Sequence, residues 1–118
     1  MYRCFACNEN TVDSFYKKEQ ALFHLLNKTD LQKEVFLESF ICHELIEKIL
    51  RYYSNDFLEI YENSIFYKDY ILTFHKYFIE TNDIYSNILF DYMKRYHKIW
   101  CCIDENNKVI WINTCKII

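Results

Sequence analysis

Apolar residues recur every three or four positions along most of the chain, which is the pattern of amphipathic helices. This spacing predicts helices over 13–27, 30–53, 65–80 and 83–97, with a short helical segment at 57–61. Asn, Asp, Ser and Thr separate these segments, and such residues cap helices and occupy turns. The most regular apolar stripe lies in the predicted helix over 65–80 and consists of Tyr67, Tyr70, Ile71, Phe74, Tyr77 and Phe78.

The C-terminal part of the chain has a different pattern. Two runs rich in β-branched and aromatic residues, 98–104 and 108–113, flank Glu105-Asn106-Asn107 and predict an antiparallel hairpin. With a two-residue turn, Ile103 would face Ile110, and residues 2–7 can add a further strand. The predicted fold is mainly α: one domain over 1–118, with a bundle of four or five helices and a small C-terminal β-hairpin.

The chain contains no Gly and no Pro, but fifteen Ile and ten Asn. The scarce residues have GC-rich codons, so the bias indicates an AT-rich genome, as in many viruses, phages, low-GC bacteria and some protists. Without Gly, tight turns are expected to use Asn, Asp or Ser. The absence of Gly also excludes Walker loops, Rossmann fingerprints and nucleophile elbows.

Charge and hydropathy bear on location and partners. The net charge is −3 and the pI is about 5.8, so no overall basic field attracts nucleic acid, although a local basic patch is compatible with these values. Apolar runs are short and no signal peptide is evident, which predicts a cytoplasmic protein without a membrane span, in the host cytoplasm if a virus or phage encodes it. Six cysteines in that compartment are expected to be thiols or metal ligands.

The Cys4-Phe-Ala-Cys7 stretch is compatible with half of a zinc site. Cys102 (or Cys101) and Cys115 would supply the other half if the N-terminal strand lies beside the hairpin. The main interpretation is that these are buried free thiols and that the protein has no cofactor, with zinc as the alternative.

Basic residues cluster at the end of the last predicted helix, at Lys94, Arg95 and Lys98. Cations at this position complement the helix dipole. The alternative is a contact to nucleic acid, with Tyr96 or Trp100 stacked on a base. This nucleic-acid contact, together with a zinc site formed by the cysteines, defines an alternative function: a zinc-stabilised nucleic-acid-binding module.

A small enzyme that uses a Cys–His pair is the third hypothesis. Such a pair forms in space rather than in sequence, and no local signature accompanies any Cys or His here. We therefore expect the protein not to be an enzyme.

Residues 41–50, Ile-Cys-His-Glu-Leu-Ile-Glu-Lys-Ile-Leu, together with Tyr52 and Asp56-Phe-Leu58, resemble the first half of an F-box. This helical motif docks an adaptor of ubiquitin ligases. The resemblance covers residues 41–58; Cys42 replaces the usual Pro, and the second half of the motif is not evident. We do not assign the family on this basis.

Aromatic residues make up 19% of the chain, with eleven Tyr, ten Phe and two Trp. A tyrosine hydroxyl needs water or a partner, so some of these rings are expected at the surface, where Tyr and Trp anchor protein interfaces. The sequence therefore predicts a small non-enzymatic protein-binding factor, of the kind a virus or phage encodes to occlude a host defence protein; a homodimer would use the same kind of surface. The predicted partner-binding residues are Trp100, Trp111, Tyr77, Tyr85 and Tyr96.

Overall fold

The structure is a computed structural model that describes residues 1–54 and 57–114. Its helices are α1 (Glu9–Phe15), α2 (Glu19–Leu26), α3 (Asp30–Lys33), α4 (Cys42–Tyr52) and α5 (Ile88–Tyr96). Its strands are β1 (Tyr2–Ala6), β2 (Glu59–Tyr61), β3 (Ser64–Tyr67), β4 (Tyr70–Phe74), β5 (Ile79–Thr81), β6 (Ile99–Ile103) and β7 (Val109–Asn113).

All seven strands form one antiparallel sheet in the order β2-β3-β4-β5-β1-β6-β7. The N-terminal strand β1 therefore lies inside the sheet, where Cys4 is opposite Ile79 of β5 and Cys102 of β6. The two sheet edges are β2 and β7.

Helices pack on both faces of this sheet. On one face, α4 and α5 cover a cluster that includes Leu72, Phe74 and Trp100, all fully buried. On the other face, residues of α1 and α2 pack with Phe5 and Ile103 in a second cluster. Side chains of successive strand residues enter opposite clusters, as the strand pleat requires.

The predicted helical bundle is wrong, because residues 59–81 form four strands instead of helices. The stripe that contains Tyr70, Ile71 and Phe74 fits the helical period, but Tyr70, Leu72 and Phe74 also alternate along a strand and face the core. Aromatic and β-branched residues favour the extended conformation, and here packing against the neighbouring strands stabilises a strand over a helix. The described residues contain seven strands in a single sheet, so the strands are not a small C-terminal hairpin.

The long helices predicted over 13–27 and 30–53 are each interrupted. Tyr16–Lys18 separates α1 from α2, and a non-helical segment separates α3 from α4. The turns also differ from expectation, since the described residues with positive φ are Lys17, Glu62, Lys68 and Asn107. Lys carries no turn signal in a sequence, so the turns at Lys17 and Lys68 were not predicted, whereas Glu62 lies in the predicted break between residues 61 and 65.

The pairing of β6 with β7 is shifted by one residue from the predicted register. Asp104 N–H donates to the Lys108 carbonyl (3.0 Å), so three residues form the loop, with Asn107 at φ 60°. Cys102 is therefore opposite Ile110, and Cys101 is opposite Trp111. A shift of one residue moves every β7 side chain to the other face.

Candidate functional site

Helices α4 and α5 lie side by side because each has one apolar face turned to the sheet. In α4 the buried residues are Leu45, Ile46 and Ile49; in α5 they are Leu89, Phe90 and Met93. Asn87 begins α5 by accepting the Leu89 N–H (2.9 Å). The Tyr53 hydroxyl donates to the Ile88 carbonyl (2.6 Å), which joins the end of α4 to the start of α5.

The outer surfaces of these helices carry what we call the tyrosine patch: Tyr52, Tyr92, Tyr96, Lys48 and Arg95. The rings of Tyr52 and Tyr92 lie 5.2 Å apart between centroids. The Arg95 guanidinium lies 5.5 Å from the Tyr52 ring and donates a hydrogen bond to its hydroxyl, and Lys48 Nζ lies 5.6 Å from the Tyr96 ring. Cation–π contacts thus link the two helices.

Two rings of the patch are open to solvent although their neighbours hold them in place. Tyr52 is 53% exposed and Tyr96 is 51% exposed. Tyr52 also contacts Tyr53, with ring centroids 4.8 Å apart in an edge-to-face arrangement. Exposed rings with few free torsions lose little entropy on binding, which favours them as interface anchors.

The patch carries positive charge. Arg51 is paired with Glu47 across one helical turn (4.0 Å). Among residues 1–54 and 57–114, no carboxylate forms an ion pair with Lys48 or Arg95. An acidic surface on a partner would therefore complement the patch.

The structure disperses the five predicted partner-binding residues. Trp100 is fully buried and stacks on a core Phe, and Tyr77 is 4% exposed with its hydroxyl donating to the Asp30 carbonyl (3.2 Å). Both therefore belong to the interior, not to a surface. Tyr85 is exposed on the β5–α5 loop, half-buried Trp111 lies on the edge strand β7, and Tyr96 alone belongs to the tyrosine patch.

The predicted basic cluster is also divided. Arg95 is in the tyrosine patch, whereas Lys94 pairs with Asp91 (2.9 Å) and donates to the Ile84 carbonyl (3.3 Å). Exposed Lys98 lines a cavity of about 440 Å³ that also includes Tyr96. Arg95 and Lys98 thus lie within two residues of Tyr96 in the sequence, and Lys98 lines the same cavity as Tyr96.

The four described cysteines of the proposed zinc set and its alternative are buried thiols in two separate clusters. Cys4 and Cys102 are opposite each other on the face covered by α4 and α5, whereas Cys7 and Cys101 lie on the other face. The residues of the Cys4–Cys7 motif therefore point away from each other. Burial raises the pKa of Cys7 to about 12 and also raises the pKa of Cys101.

Metal ligation requires groups that converge. Within the described ranges, no three His, Cys, Asp or Glu residues cluster as metal ligands. Cys115, the fourth member of the proposed zinc set, lies outside the described residues.

The contacts of the histidines bear on the Cys–His hypothesis. His97 Nε2 hydrogen-bonds the carbonyl oxygen of Cys7 (2.7 Å), while the Cys7 thiol donates to the Phe5 carbonyl (3.3 Å). His75 Nε2 bonds Glu80 (2.5 Å). In the part of the chain that the structure describes, no imidazole is hydrogen-bonded to a thiol, which is the contact that activates a cysteine nucleophile.

Sequence reasoning did not include Lys48, Tyr52 and Tyr92 in the candidate site. Lys48 and Tyr52 are four positions apart, and Tyr92, Arg95 and Tyr96 follow the same i, i+3, i+4 spacing, so each set lies on one helix face. The spacing was readable in the sequence. The packing of α4 against α5, which unites the two sets, was not.

Comparison of the chain with models of known protein families and with curated proteins gave no match. Of the residues that resemble an F-box, Cys42–Tyr52 form helix α4, Asp56 lies outside the described residues, and strand β2 begins at Glu59. Among the described residues, no helix has the length and apolarity needed to cross a bilayer.

Proposed function

We propose that the protein is a non-enzymatic binding factor that contacts another protein through the tyrosine patch. The observation that supports this proposal is the pair of exposed rings, Tyr52 and Tyr96, each held by a cation. Tyr and Arg dominate the energetic centres of protein interfaces. The binding step buries these rings against an apolar surface of the partner with acidic groups at its margin.

The mechanism that fits such a surface is occlusion. A small chain that covers a functional region of its partner blocks that region without any chemical step. The AT-rich style of the sequence extends the proposal to a viral or phage factor that acts on a host defence protein.

Site-specific photo-crosslinking in cells tests the proposal. A photoreactive phenylalanine analogue is placed at position 52 or 96, or at position 85 as a matched control. Tyr85 is 68% exposed, and among the described residues no ring or cation packs on it. We expect one protein to be crosslinked from positions 52 and 96 and not from 85; equal crosslinking from all three, or none from 52 and 96, contradicts the proposal.

Alanine substitution then measures how much an exposed ring contributes to the free energy of binding. Tyr52→Ala should weaken binding to the crosslinked protein by about 30-fold or more, which corresponds to the roughly 2 kcal/mol that defines an interface hot spot. Tyr85→Ala should leave the affinity unchanged. Circular dichroism of both variants shows whether the fold is intact.

Binding of single-stranded nucleic acid is a second candidate, favoured by Arg95 and Lys98, which lie within two residues of the exposed Tyr96 in the sequence, and by the cavity that Lys98 and Tyr96 line together. Stacking rings flanked by cations are the usual components of such sites. A labelled single-stranded oligonucleotide distinguishes the two. If nucleic acid is the partner, the affinity falls steeply with salt, and Arg95→Ala and Lys98→Ala each reduce that salt dependence.

A further inference from the structure

Two buried cysteines lie opposite each other on neighbouring strands. Cys4 of β1 is the register partner of Cys102 of β6, and both side chains belong to the cluster covered by α4 and α5. A hydrogen bond joins the two thiols and, together with burial, raises the pKa of Cys102. The two sulfur atoms are therefore neighbours in the core, although the cysteines are far apart in the sequence.

The hydrogen bonds between β1 and β6 indicate how closely the two backbones approach at this pair. Cys7 N–H donates to the Ile99 carbonyl (2.9 Å), so Cys7 and Ile99 are a hydrogen-bonded pair. Such pairs alternate along an antiparallel ladder, which makes Cys4 and Cys102 a non-hydrogen-bonded pair. In non-hydrogen-bonded pairs the Cα atoms are typically about 4.5 Å apart. A disulfide requires a Cα separation of roughly 4.4–6.8 Å, so this pair has the spacing that a disulfide needs.

The other thiols of β1 and β6 do not have this spacing. Cys7 and Cys101 lie in the other cluster, but Cys101 is opposite Phe5, so Cys7 is its diagonal neighbour. Diagonal neighbours are about 7–8 Å apart, which exceeds the limit of roughly 7 Å for the Cα atoms of a disulfide. Cys101 and Cys102 are adjacent on one strand and point to opposite faces. Among the thiols of these two strands, only Cys4 and Cys102 can be bridged without backbone movement.

We propose that Cys4 and Cys102 are a redox modification site that closes to a disulfide between β1 and β6. The oxidant is a small-molecule disulfide such as oxidised glutathione. The thiolate of one cysteine attacks a sulfur atom of the oxidant, which forms a mixed disulfide and releases one small thiol. The thiolate of the other cysteine then attacks the protein sulfur of the mixed disulfide and releases the second small thiol. The protein thiols are thereby oxidised, the oxidant is reduced, and the two protons end on the released thiols.

Burial determines when this reaction can occur. Both residues are fully buried, so an oxidant does not reach them while β1 is paired with β6. The raised pKa of Cys102 also keeps its thiol protonated in the folded chain, and the thiolate is the reactive form. The bond therefore forms during folding, or when β1 separates from β6. Once the sheet is complete, burial protects the bond from reducing agents in the same way.

The bond would close a ring of residues 4–102, which contains β2 to β5 and α1 to α5. A cross-link that closes a long ring removes much of the conformational entropy of the unfolded chain. The oxidised protein should therefore have a Tm higher than that of the reduced protein by about 10 °C or more. The site is separate from the tyrosine patch and does not depend on the proposed function.

Refolding in a mixture of oxidised and reduced glutathione tests the proposal with the unmodified chain. The refolded protein is unfolded in the presence of an alkylating reagent, and mass spectrometry counts the modified thiols. We expect two fewer modified thiols than the six cysteines of the chain, and fragmentation of the cross-linked peptides should show Cys4 joined to Cys102. A chain that keeps all six thiols, or whose disulfides join other cysteines or glutathione instead, overturns the proposal.

Two double variants compare the opposite pair with the diagonal pair, both with the cysteines outside β1 and β6 replaced by Ser. Cys7→Ala/Cys101→Ala keeps the opposite pair, and Cys4→Ala/Cys102→Ala keeps the diagonal pair as the matched control. After refolding with glutathione, we expect the disulfide and the higher Tm only in the variant that keeps Cys4 and Cys102. Equal disulfide yields in the two variants overturn the proposal. So does an oxidised Cys7→Ala/Cys101→Ala variant that is no more stable than its reduced form.

Discussion

Replacing Glu62 with Gly should stabilise the protein, although the substitution removes a side chain. Glu62 has φ 53° in the turn between β2 and β3, a conformation that strains any residue with a Cβ atom. Its side chain is exposed, and among the described residues it forms no ion pair. The substitution therefore removes strain without removing such a contact.

The size of the effect is the difference between two terms. A left-handed non-glycine residue costs about 1–2 kcal/mol. Glycine loses roughly 0.5–1 kcal/mol more chain entropy on folding than alanine does. The free energy of unfolding of Glu62→Gly should thus rise by about 0.5–1 kcal/mol, which for a domain of this size raises Tm by about 2–4 °C.

Asn63→Gly is the matched control for this prediction. Asn63 is the next residue in the same turn and is not among the positive-φ residues, so glycine relieves no strain there. Its carbonyl still accepts the Phe74 N–H (2.8 Å), and the variant should be less stable by about 0.5–1 kcal/mol. Urea denaturation measures both changes. If Glu62→Gly is destabilised as much as Asn63→Gly, the strain argument is refuted.

Three further predictions concern the core, the thiols and one ion pair. Trp100→Ala should lower the free energy of unfolding by about 3–5 kcal/mol in urea denaturation, because it empties a fully buried site; a near-neutral result would place the indole at the surface. In a Cys115→Ser background, an alkylating reagent followed by mass spectrometry should modify Cys42 first, and the buried thiols of Cys4, Cys7, Cys101 and Cys102 only after unfolding. Burial raises the pKa of Cys7 and Cys101, and a hydrogen bond with Cys4, together with burial, raises the pKa of Cys102. The hydrogen bond from Lys76 (2.8 Å) lowers the pKa of Asp30, so the pair contributes stability above the ordinary carboxyl value of 3.8 and loses it as the pH falls through the lowered folded-state value. Lys76→Met should therefore reduce stability at neutral pH and have a smaller effect in acid, as measured by urea denaturation at each pH; an equal effect at both would exclude this linkage.

Two features of this fold could not be predicted from the sequence: the positions of some turns, and the choice between helix and strand for residues 65–80. In the hairpin between β3 and β4, Lys68 occupies the left-handed position of the turn. A turn at this position would be predicted from Asn or Gly, and the sequence has neither there. Residues 65–80 then fit the helical period and the strand period equally, because aromatic residues occur at both spacings. Only the pairing of β4 with β3 and β5 decides for strands, and the spacing of apolar residues along the chain does not show which strands will pair.

For the candidate site, the sequence predicted that aromatic residues would be exposed but identified only part of the surface. Tyr96 was predicted to be exposed because a tyrosine hydroxyl needs water or a partner, and the structure places this residue at the surface. Trp100 was wrongly predicted to be at the surface, because the sequence pattern around a hydrophobic strand residue is the same whether a helix or solvent covers its face. Helix α5 covers that face, and no local pattern announces which face of a strand a helix will cover.

The central position of β1 has a consequence for how the chain assembles. β1 precedes both of its partner strands, and its register with β5 and β6 joins Arg3 to Glu80 and to Ile103. Pairings so distant in sequence require long loops to close first, which slows folding relative to local hairpins. Strands β2–β5 and β6–β7 each form from neighbouring segments, but only β1 connects the two groups. Deletion of the first six residues would therefore separate the sheet into two independent pieces rather than trim its edge.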